Sequence, residues 1–385
     1  MASVQLECGD CRDVLARLAA DSFDACVTDP PYHLQIGRAL QMTVNLSSGT
    51  LRRDTEAWRT RAGFMNQAWD GGTISAEPET WRAIYRVLKP GAHLLAFGGT
   101  RTSHRMVCAI EDAGFEIRDT VMWLYGSGFP KSRNLGNGWG TGLKPAHEPI
   151  VIARKPLSER TVAANVLRWG TGAMNIDACR IETDAKLSSL NHTTSKFIDS
   201  ANGARDAHAR TYLVDNSRGL GRFPANVLHD GSDEVEAAFA AFGKSRSTDR
   251  PRNNTTALGF MNDDNWQPKA RQTSGFFDSG TASRFFYAAK ASKADRAGSN
   301  HPTVKPVAVM RWLVRMVTRP GGHIIDPFAG SGTTGAAALA EGLCATLIEL
   351  SPEYCADIRR RLAPPAPPRI RASLPAVVGQ LEMAF

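Results

Sequence analysis

Two segments of this chain combine residue types that can do chemistry. The first is Asp29-Pro30-Pro31-Tyr32, directly after the apolar run Asp24-Ala25-Cys26-Val27-Thr28. That run reads as a buried strand, so the tetrapeptide stands at a strand's carboxyl end, where ligands of open α/β sheets bind. Two consecutive prolines fix φ and remove two backbone donors, which leaves a stiff turn with exposed carbonyls. A carboxylate, a free carbonyl and an aromatic ring on one rigid turn suit the capture of a flat ring bearing an amine. Taken alone, the same four residues are equally an ordinary Pro-Pro turn.

The second segment is Asp326-Pro327-Phe328-Ala329-Gly330-Ser331-Gly332-Thr333-Thr334-Gly335, between an apolar run and a helical pattern. Its Gly330-x-Gly332-x-x-Gly335 spacing lets a ligand approach the backbone at a helix N-terminus, and Glu349, ending the next apolar run, can accept both hydroxyls of a ribose. This satisfies the dinucleotide fingerprint, so NAD is one candidate. Asp326 and Phe328 weigh against it. A carboxylate repels a pyrophosphate but suits a zwitterion, and an amino-acid head group on adenosine, as in S-adenosylmethionine, fits these residues better.

The elements that must position these turns are legible at both ends of the chain. Strands are expected at Val4–Cys8, Asp24–Thr28, His93–Phe97, Ile117–Leu124 and Pro149–Arg154, with helices at Cys11–Ala19, Glu79–Leu88 and Arg101–Ala113. Pro and Gly supply the stops, as in Lys89-Pro90-Gly91 and Gly114. A long polar loop runs from His33 to about Ala76, of a length that is usually functional. Towards the other end, a helix with Val309, Leu313, Met316 and Val317 on one face precedes strand His323–Ile325, helix Thr333–Glu341, strand Ala345–Ile348 and helix Glu353–Leu362, the last opened by Ser351-Pro352. Between about Lys155 and Lys290 the composition turns to Asn, Ser, Thr, Asp, Arg and Gly, periodicity is weak, and an inserted region is expected.

Composition sets the outer bounds. With 385 residues and 42% hydrophobic content the chain can bury a sizeable core. A net charge of +8 biases it towards polyanionic partners. The first residues lack a basic segment followed by a long apolar one, and no stretch reaches membrane-spanning length, so a cytoplasmic protein without membrane attachment is expected. Of the seven cysteines, Cys8 and Cys11 form a lone C-x-x-C with no second pair at zinc-ligand spacing, and no metal is expected.

Together these segments resemble the DNA amino-methyltransferases, which modify exocyclic nitrogens of adenine or cytosine. Asp29 to Tyr32 resembles the family's catalytic motif, Asp326 to Thr334 its cofactor loop, His301-Pro302-Thr303-Val304-Lys305-Pro306 the segment before that loop, and Gly9-Asp10 a further cofactor contact. Trp69-Asp70, the Arg86–Gly91 segment and Phe97-Gly98-Gly99 resemble intervening segments. A catalytic motif that precedes the cofactor loop is the permuted order of the family's beta group. The resemblance implies an α/β fold: a doubly wound, mostly parallel sheet of the S-adenosylmethionine-dependent methyltransferase type, with an irregular target-recognition region inserted. It divides the chain into a catalytic half (1–154), a recognition region (155–290), a cofactor-binding half (291–363) and a Pro-rich tail (364–385).

The resemblance also implies roles. Asp29, Pro30, Pro31 and Tyr32 would be catalytic, with Asp29 and the Pro30 carbonyl accepting the amine's hydrogens and Tyr32 stacking on the flipped base; Trp123 or Tyr125 would lie on the opposite face. Asp10, Asp326, Phe328, Gly330, Gly332 and Glu349 would hold S-adenosylmethionine, with Thr303 and Lys305 near its methionyl carboxylate. His147-Glu148 would touch target strand or cofactor, or cap a strand. Double-stranded DNA is the implied partner, with Lys144, Lys155 and arginines including Arg205, Arg210, Arg218, Arg222, Arg246, Arg250 and Arg252 as phosphate contacts. Asn253, Asn254 and Gln272 are candidates for base reading. A homodimer and a cognate restriction enzyme both stay open. Asp29 favours adenine N6, since cytosine-N4 enzymes more often carry serine there. The alternatives are a cytosine-N4 enzyme, a DNA-binding protein on an inactive scaffold, and a nicotinamide-dependent oxidoreductase.

Overall fold

Strands that are apolar on both faces need helices on both sides of their sheet. Every residue of β2 (Phe23–Thr28) is buried, as are the last seven of β3 (Leu88–Phe97). In the computed structural model, which describes residues 2–33, 72–128, 132–182, 187–188, 191–193, 212–214, 221–246, 275–276, 279–289, 293–296 and 298–363, that demand is met by a three-layer α/β architecture. The central sheet also contains β1 (Val4–Cys8), β4 (Glu116–Leu124), β7 (His147–Arg154), β8 (Val227–His229), β9 (Tyr287–Ala288), β10 (His323–Asp326) and β11 (Cys344–Glu349). A small hairpin, β5 (Asn134–Gly136) and β6 (Trp139–Gly140), lies outside it. The order is β1-β11-β10-β2-β3-β7-β4-β8-β9, and β7 alone runs against the rest.

One face is covered by α1 (Cys11–Arg17), α2 (Pro78–Val87) and α3 (Ser103–Asp112), whose Leu15, Trp81, Ile84 and Ile110 are fully buried against Leu94 and Ile348. On the other face α6 (Val307–Val317) and α7 (Thr333–Ala340) pack Leu313, Trp312 and Ala337 against Val27, Leu95 and Ile324. The apolar positions read from the sequence on α6, Val309, Leu313, Met316 and Val317, are all buried. Ser351 caps α8 (Pro352–Leu362) by accepting from Tyr354 N–H, and Pro352 opens its first turn.

The sequence pattern and the structure differ in two places. β3 begins at Leu88, because Lys89-Pro90-Gly91 both stops α2 and enters the strand; Gly91, at φ +80°, donates its N–H to Lys155 O at 3.0 Å. The weakly periodic stretch 155–290 also contributes β8 and β9 to one edge of the sheet, α4 (Val162–Trp169) against β3, and α5 (Asp233–Ala240). Strands this short carry no readable alternation, and tertiary pairing alone places them. Among the described residues no helix is long and apolar enough to cross a membrane.

His93 is buried on β3 opposite Arg154 of β7. Burial, aided by the positive charges of Arg154 and Arg118, pushes its imidazole down to about 4. The neutral ring is therefore what the fold accepts, so the stability it contributes is present above pH 6.5 and lost as pH falls towards 4. His93→Phe should remove a loss of roughly 2–3 kcal/mol over that interval. Urea unfolding at pH 7 and pH 4.5 tests this: the variant's stability should fall less than the parent's.

Candidate active site

Because the parallel strands share one direction, their carboxyl ends open on one edge of the sheet. From β10 the chain goes on to its neighbour β11 on one side, and from β2 to its neighbour β3 on the other, so a switch point lies between β10 and β2. The Pro-Pro turn leaves β2 there and the glycine turn leaves β10. A cleft of about 980 Å³ opens at this edge, reaching from Asp10 and Glu349 past Gly330 to Asp29 and Tyr125.

The Pro-Pro turn is braced on both sides. Thr28, the last residue of β2, donates its hydroxyl to Asp326 Oδ1 at 2.6 Å, which ties the start of one turn to the start of the other. Pro31 O accepts from Ser75 Oγ at 2.9 Å, and Tyr32 O accepts from Thr102 Oγ1 at 2.6 Å. His33 adopts a left-handed φ of +48° and accepts Ser75 N–H on Nε2 at 3.2 Å. Gly99 leaves room for the Tyr32 ring, since a Cβ there would lie 3.1 Å from Tyr32 Cδ2.

A buried charge cluster sits against this turn. Lys305 Nζ lies 2.9 Å from Asp29 Oδ2 and 3.0 Å from Glu148 Oε2, and it donates to the Tyr32 hydroxyl at 3.0 Å. Tyr32 in turn donates to Glu148 Oε2 at 3.0 Å. Burial alone would push Lys305 down, but the carboxylates of Asp29 and Glu148 outweigh it and hold the ammonium above the usual lysine range. Burial first, then the same two carboxylates, raise the Tyr32 phenol well above its ordinary value. Asp29 Oδ1 is buried and has no hydrogen-bond partner among the described residues; so is Trp123 Nε1. Trp123 and Tyr125 pack with ring centroids 5.3 Å apart, and burial with the Glu148 charge pushes Tyr125 up to about 12.

On the glycine-turn side, Asp326 is 2% exposed and its carboxylate is engaged inside the protein. Besides Thr28 it accepts from Thr334 Oγ1 at 2.5 Å and Phe328 N–H at 3.1 Å. Burial nevertheless raises it to about 6, against the pull of those bonds. Gly330, at φ +53°, presents N–H to Glu349 Oε2 at 2.7 Å, while Glu349 Oε1 accepts from Ser351 N–H at 2.8 Å. Burial raises the Glu349 carboxyl, partly offset by those backbone donors. Gly9 N–H bonds Glu349 O at 2.9 Å, bringing Asp10 beside Glu349. Asp10 caps α1, and its hydrogen bond with Arg12 holds its carboxyl below the usual range.

The sequence profile of the DNA methylase family, covering its N6 and N4 members, matches residues 23–360. The chain belongs to the DNA methylase family. It is 46% identical over 63 residues to the DNA adenine methyltransferase YhdJ of Escherichia coli K12, across 16% of this chain and 21% of that protein. It is 25% identical over 190 residues to the type II methyltransferase M.HindIII of Haemophilus influenzae, across 42% of this chain and 61% of that one. The matches thus span less than two thirds of either relative's length. Among solved structures, the PvuII DNA methyltransferase (cytosine-N4-specific) is similar with TM-score 0.49 at 15% identity over 95% of this chain and 88% of that one. The M1.HpyAVI–SAM complex gives 0.41 at 15% identity over 93% and 98%.

In this member of the family, the cleft brings together Asp29, Pro30, Pro31, Tyr32, Asp10, Thr303, Lys305, Asp326, Phe328, Gly330 and Glu349. Gly332 is not among the lining residues. It faces away, at φ +75°, where a Cβ would meet Ile358 of α8 at 3.0 Å. Lys155 is buried on Asp21, Tyr85 O and Leu88 O, and Arg222 is buried with its guanidinium 5.0 Å from the Phe285 ring centroid, so both serve packing. Trp69, Asp70, Arg205, Arg210, Arg218, Arg250, Arg252, Asn253, Asn254, Gln272 and the tail from 364 lie outside the described residues. The sequence reading missed the joining of Glu148 to Lys305 and Tyr32. It also missed Arg361, which donates from α8 to Ser331 O at 2.8 Å and Thr333 Oγ1 at 2.9 Å and clamps the glycine turn from behind. Cys8 pairs with Cys355 in a disulfide between the end of β1 and α8.

Thr28→Val keeps the shape of the side chain and deletes the hydroxyl that joins the two turns. The lost bond to a buried carboxylate should cost about 1–3 kcal/mol. Urea unfolding reads it directly; an unchanged midpoint would mean the bond braces nothing.

Proposed function

We propose that this chain is a DNA adenine-N6 methyltransferase that takes the methyl group from S-adenosylmethionine and acts on a base flipped out of double-stranded DNA. One observation carries the reading: Asp29 Oδ1 is a buried acceptor without a partner among the described residues, on a turn braced at both ends. Such an atom costs ~1–3 kcal/mol unless something donates to it. Adenine N6 has two hydrogens and a lone pair delocalised into the ring. If Oδ1 accepts one hydrogen and the Pro30 carbonyl the other, the lone pair localises on nitrogen and points along a defined line. That is catalysis by orientation and electrostatics.

The cleft residues fit the methyl donor. Glu349 and Asp10, adjacent at two strand ends, supply acceptors for ribose hydroxyls, the backbone at Gly330 permits close approach, and Phe328 adds an apolar face. When bound, S-adenosylmethionine supplies an activated sulfonium methyl group. Lys305, whose ammonium is taken up by Asp29 and Glu148, is assigned to the catalytic turn rather than to the methionyl carboxylate. Asp326 is assigned to shaping the glycine turn, because its carboxylate is spent on Thr28, Thr334 and Phe328.

Reaching N6 requires flipping, at a few kcal/mol, and Trp123 and Tyr125 on the cleft wall are assigned to hold the ring with Tyr32. Exposed Leu143 with Lys144 and Arg101 on the rim gives apolar and basic groups of the kind that meet a nucleic-acid strand. Sequence recognition is assigned to the stretch 155–290.

Asp29→Ala should lower methyl transfer at least ~10²-fold, the range for loss of a preorganised polar group in the transition state, while S-adenosylmethionine affinity changes less than about threefold. Nucleoside mass spectrometry of DNA treated with the parent chain should give N6-methyladenine. N4-methylcytosine without N6-methyladenine would contradict the adenine assignment.

A further inference from the structure

Glu148 is the second residue of β7, which among the described strands of the sheet runs against the other eight, and this reversal carries a strand's beginning, rather than its end, to the active edge. Its Oε2 is shared between Lys305 Nζ at 3.0 Å and the Tyr32 hydroxyl at 3.0 Å, while Lys305 also holds Asp29 Oδ2 at 2.9 Å. The lysine side chain is 9% exposed, that of Glu148 19% and that of Asp29 22%. One buried cation thus stands between two carboxylates that do not touch each other. Resting on the reaction proposed above, we propose that Glu148 is a positioning residue that keeps Asp29 competent. It draws Lys305 to the Oδ2 side of Asp29, so that Oδ1 stays open for the amine, and it fixes the Tyr32 ring through its hydroxyl.

A buried ammonium with one carboxylate neighbour would settle on both oxygens of that carboxylate, since each further hydrogen bond to a charged group is favourable at low local dielectric. Lys305 would then also occupy Oδ1 and crowd the position that the amine needs. A second carboxylate on the far side of Nζ opposes that collapse. Because Glu148 acts through Lys305 and Tyr32 and touches no reacting atom, its loss should appear in the rate of the chemical step and not in binding of the methyl donor.

The test is single-turnover methyl transfer by Glu148→Gln, Tyr32→Phe, Lys305→Met and the double variant Glu148→Gln with Lys305→Met, using tritiated S-adenosylmethionine and mixed-sequence methyl-free DNA at saturation. Equilibrium binding of S-adenosylmethionine and thermal melting are measured on each. Glu148→Gln preserves size and one acceptor but removes the charge; it should slow transfer about 10- to 100-fold with donor affinity within about threefold of the parent. In the Lys305→Met background the same change should slow transfer less than about threefold, because the cation it restrains is gone. Tyr32→Phe should reproduce only part of the Glu148→Gln effect. A parent-like rate in Glu148→Gln, or equal effects of that change with and without Lys305, overturns the proposal while leaving the reaction standing. A purely structural role would show as a lowered melting temperature with an unchanged rate per folded molecule, which also overturns it. If the parent chain transfers no methyl group to any DNA, the reaction falls, and the proposal with it.

Discussion

The hydroxyl of Thr28 and the carboxylate of Asp326, 298 residues apart in sequence and 2.6 Å apart in space, are the contact on which the site depends. Each is the last residue of its strand, and the two strands are neighbours at the switch point of the sheet. The bond fixes how far the Pro-Pro turn and the glycine turn stand from each other. Methyl transfer to a weakly nucleophilic amine gains mainly from such fixed separation, because a misplacement of an ångström costs orders of magnitude in rate. That a buried carboxyl raised to about 6 is tolerated here fits this use, since three donors converge on it and none of them is mobile solvent.

The second constraint is charge. Asp29, Glu148, Lys305 and Tyr32 come from three separate parts of the chain and meet in one partly buried group. Burial disfavours the Lys305 ammonium, and the two carboxylates beside it outweigh that and hold it charged. The group therefore works as a unit, and its members are not independent contributors whose effects add.

Much of this was legible in the sequence, and the reasons differ by element. Val4–Cys8 is a strand as expected, and Asp29 and Asp326 do stand at carboxyl ends, because the short apolar runs before them, each followed by Pro, have few other solutions in an α/β chain. Lys305 lines the cleft and its ion-pair partners lie at positions 29 and 148, which no local spacing reports, because these contacts run across the sheet. Gly332 shows the limit of motif reading from the opposite side, since the glycine is required by Ile358 behind the turn rather than by anything in front of it. β8 and β9 are three and two residues long and exist only because β4 offers an edge to extend.

In the proposed reaction Asp29 Oδ1 is held open, by bonds made elsewhere, to receive a hydrogen of the target amine. A crystal structure of the chain with a non-transferring methyl-donor analogue and a duplex containing its methylation site measures this directly. The account predicts a flipped adenine whose N6 lies within about 3.2 Å of Asp29 Oδ1 while Lys305 remains on Oδ2. A base whose exocyclic amine is bonded elsewhere, with Oδ1 taken by Lys305, would contradict it.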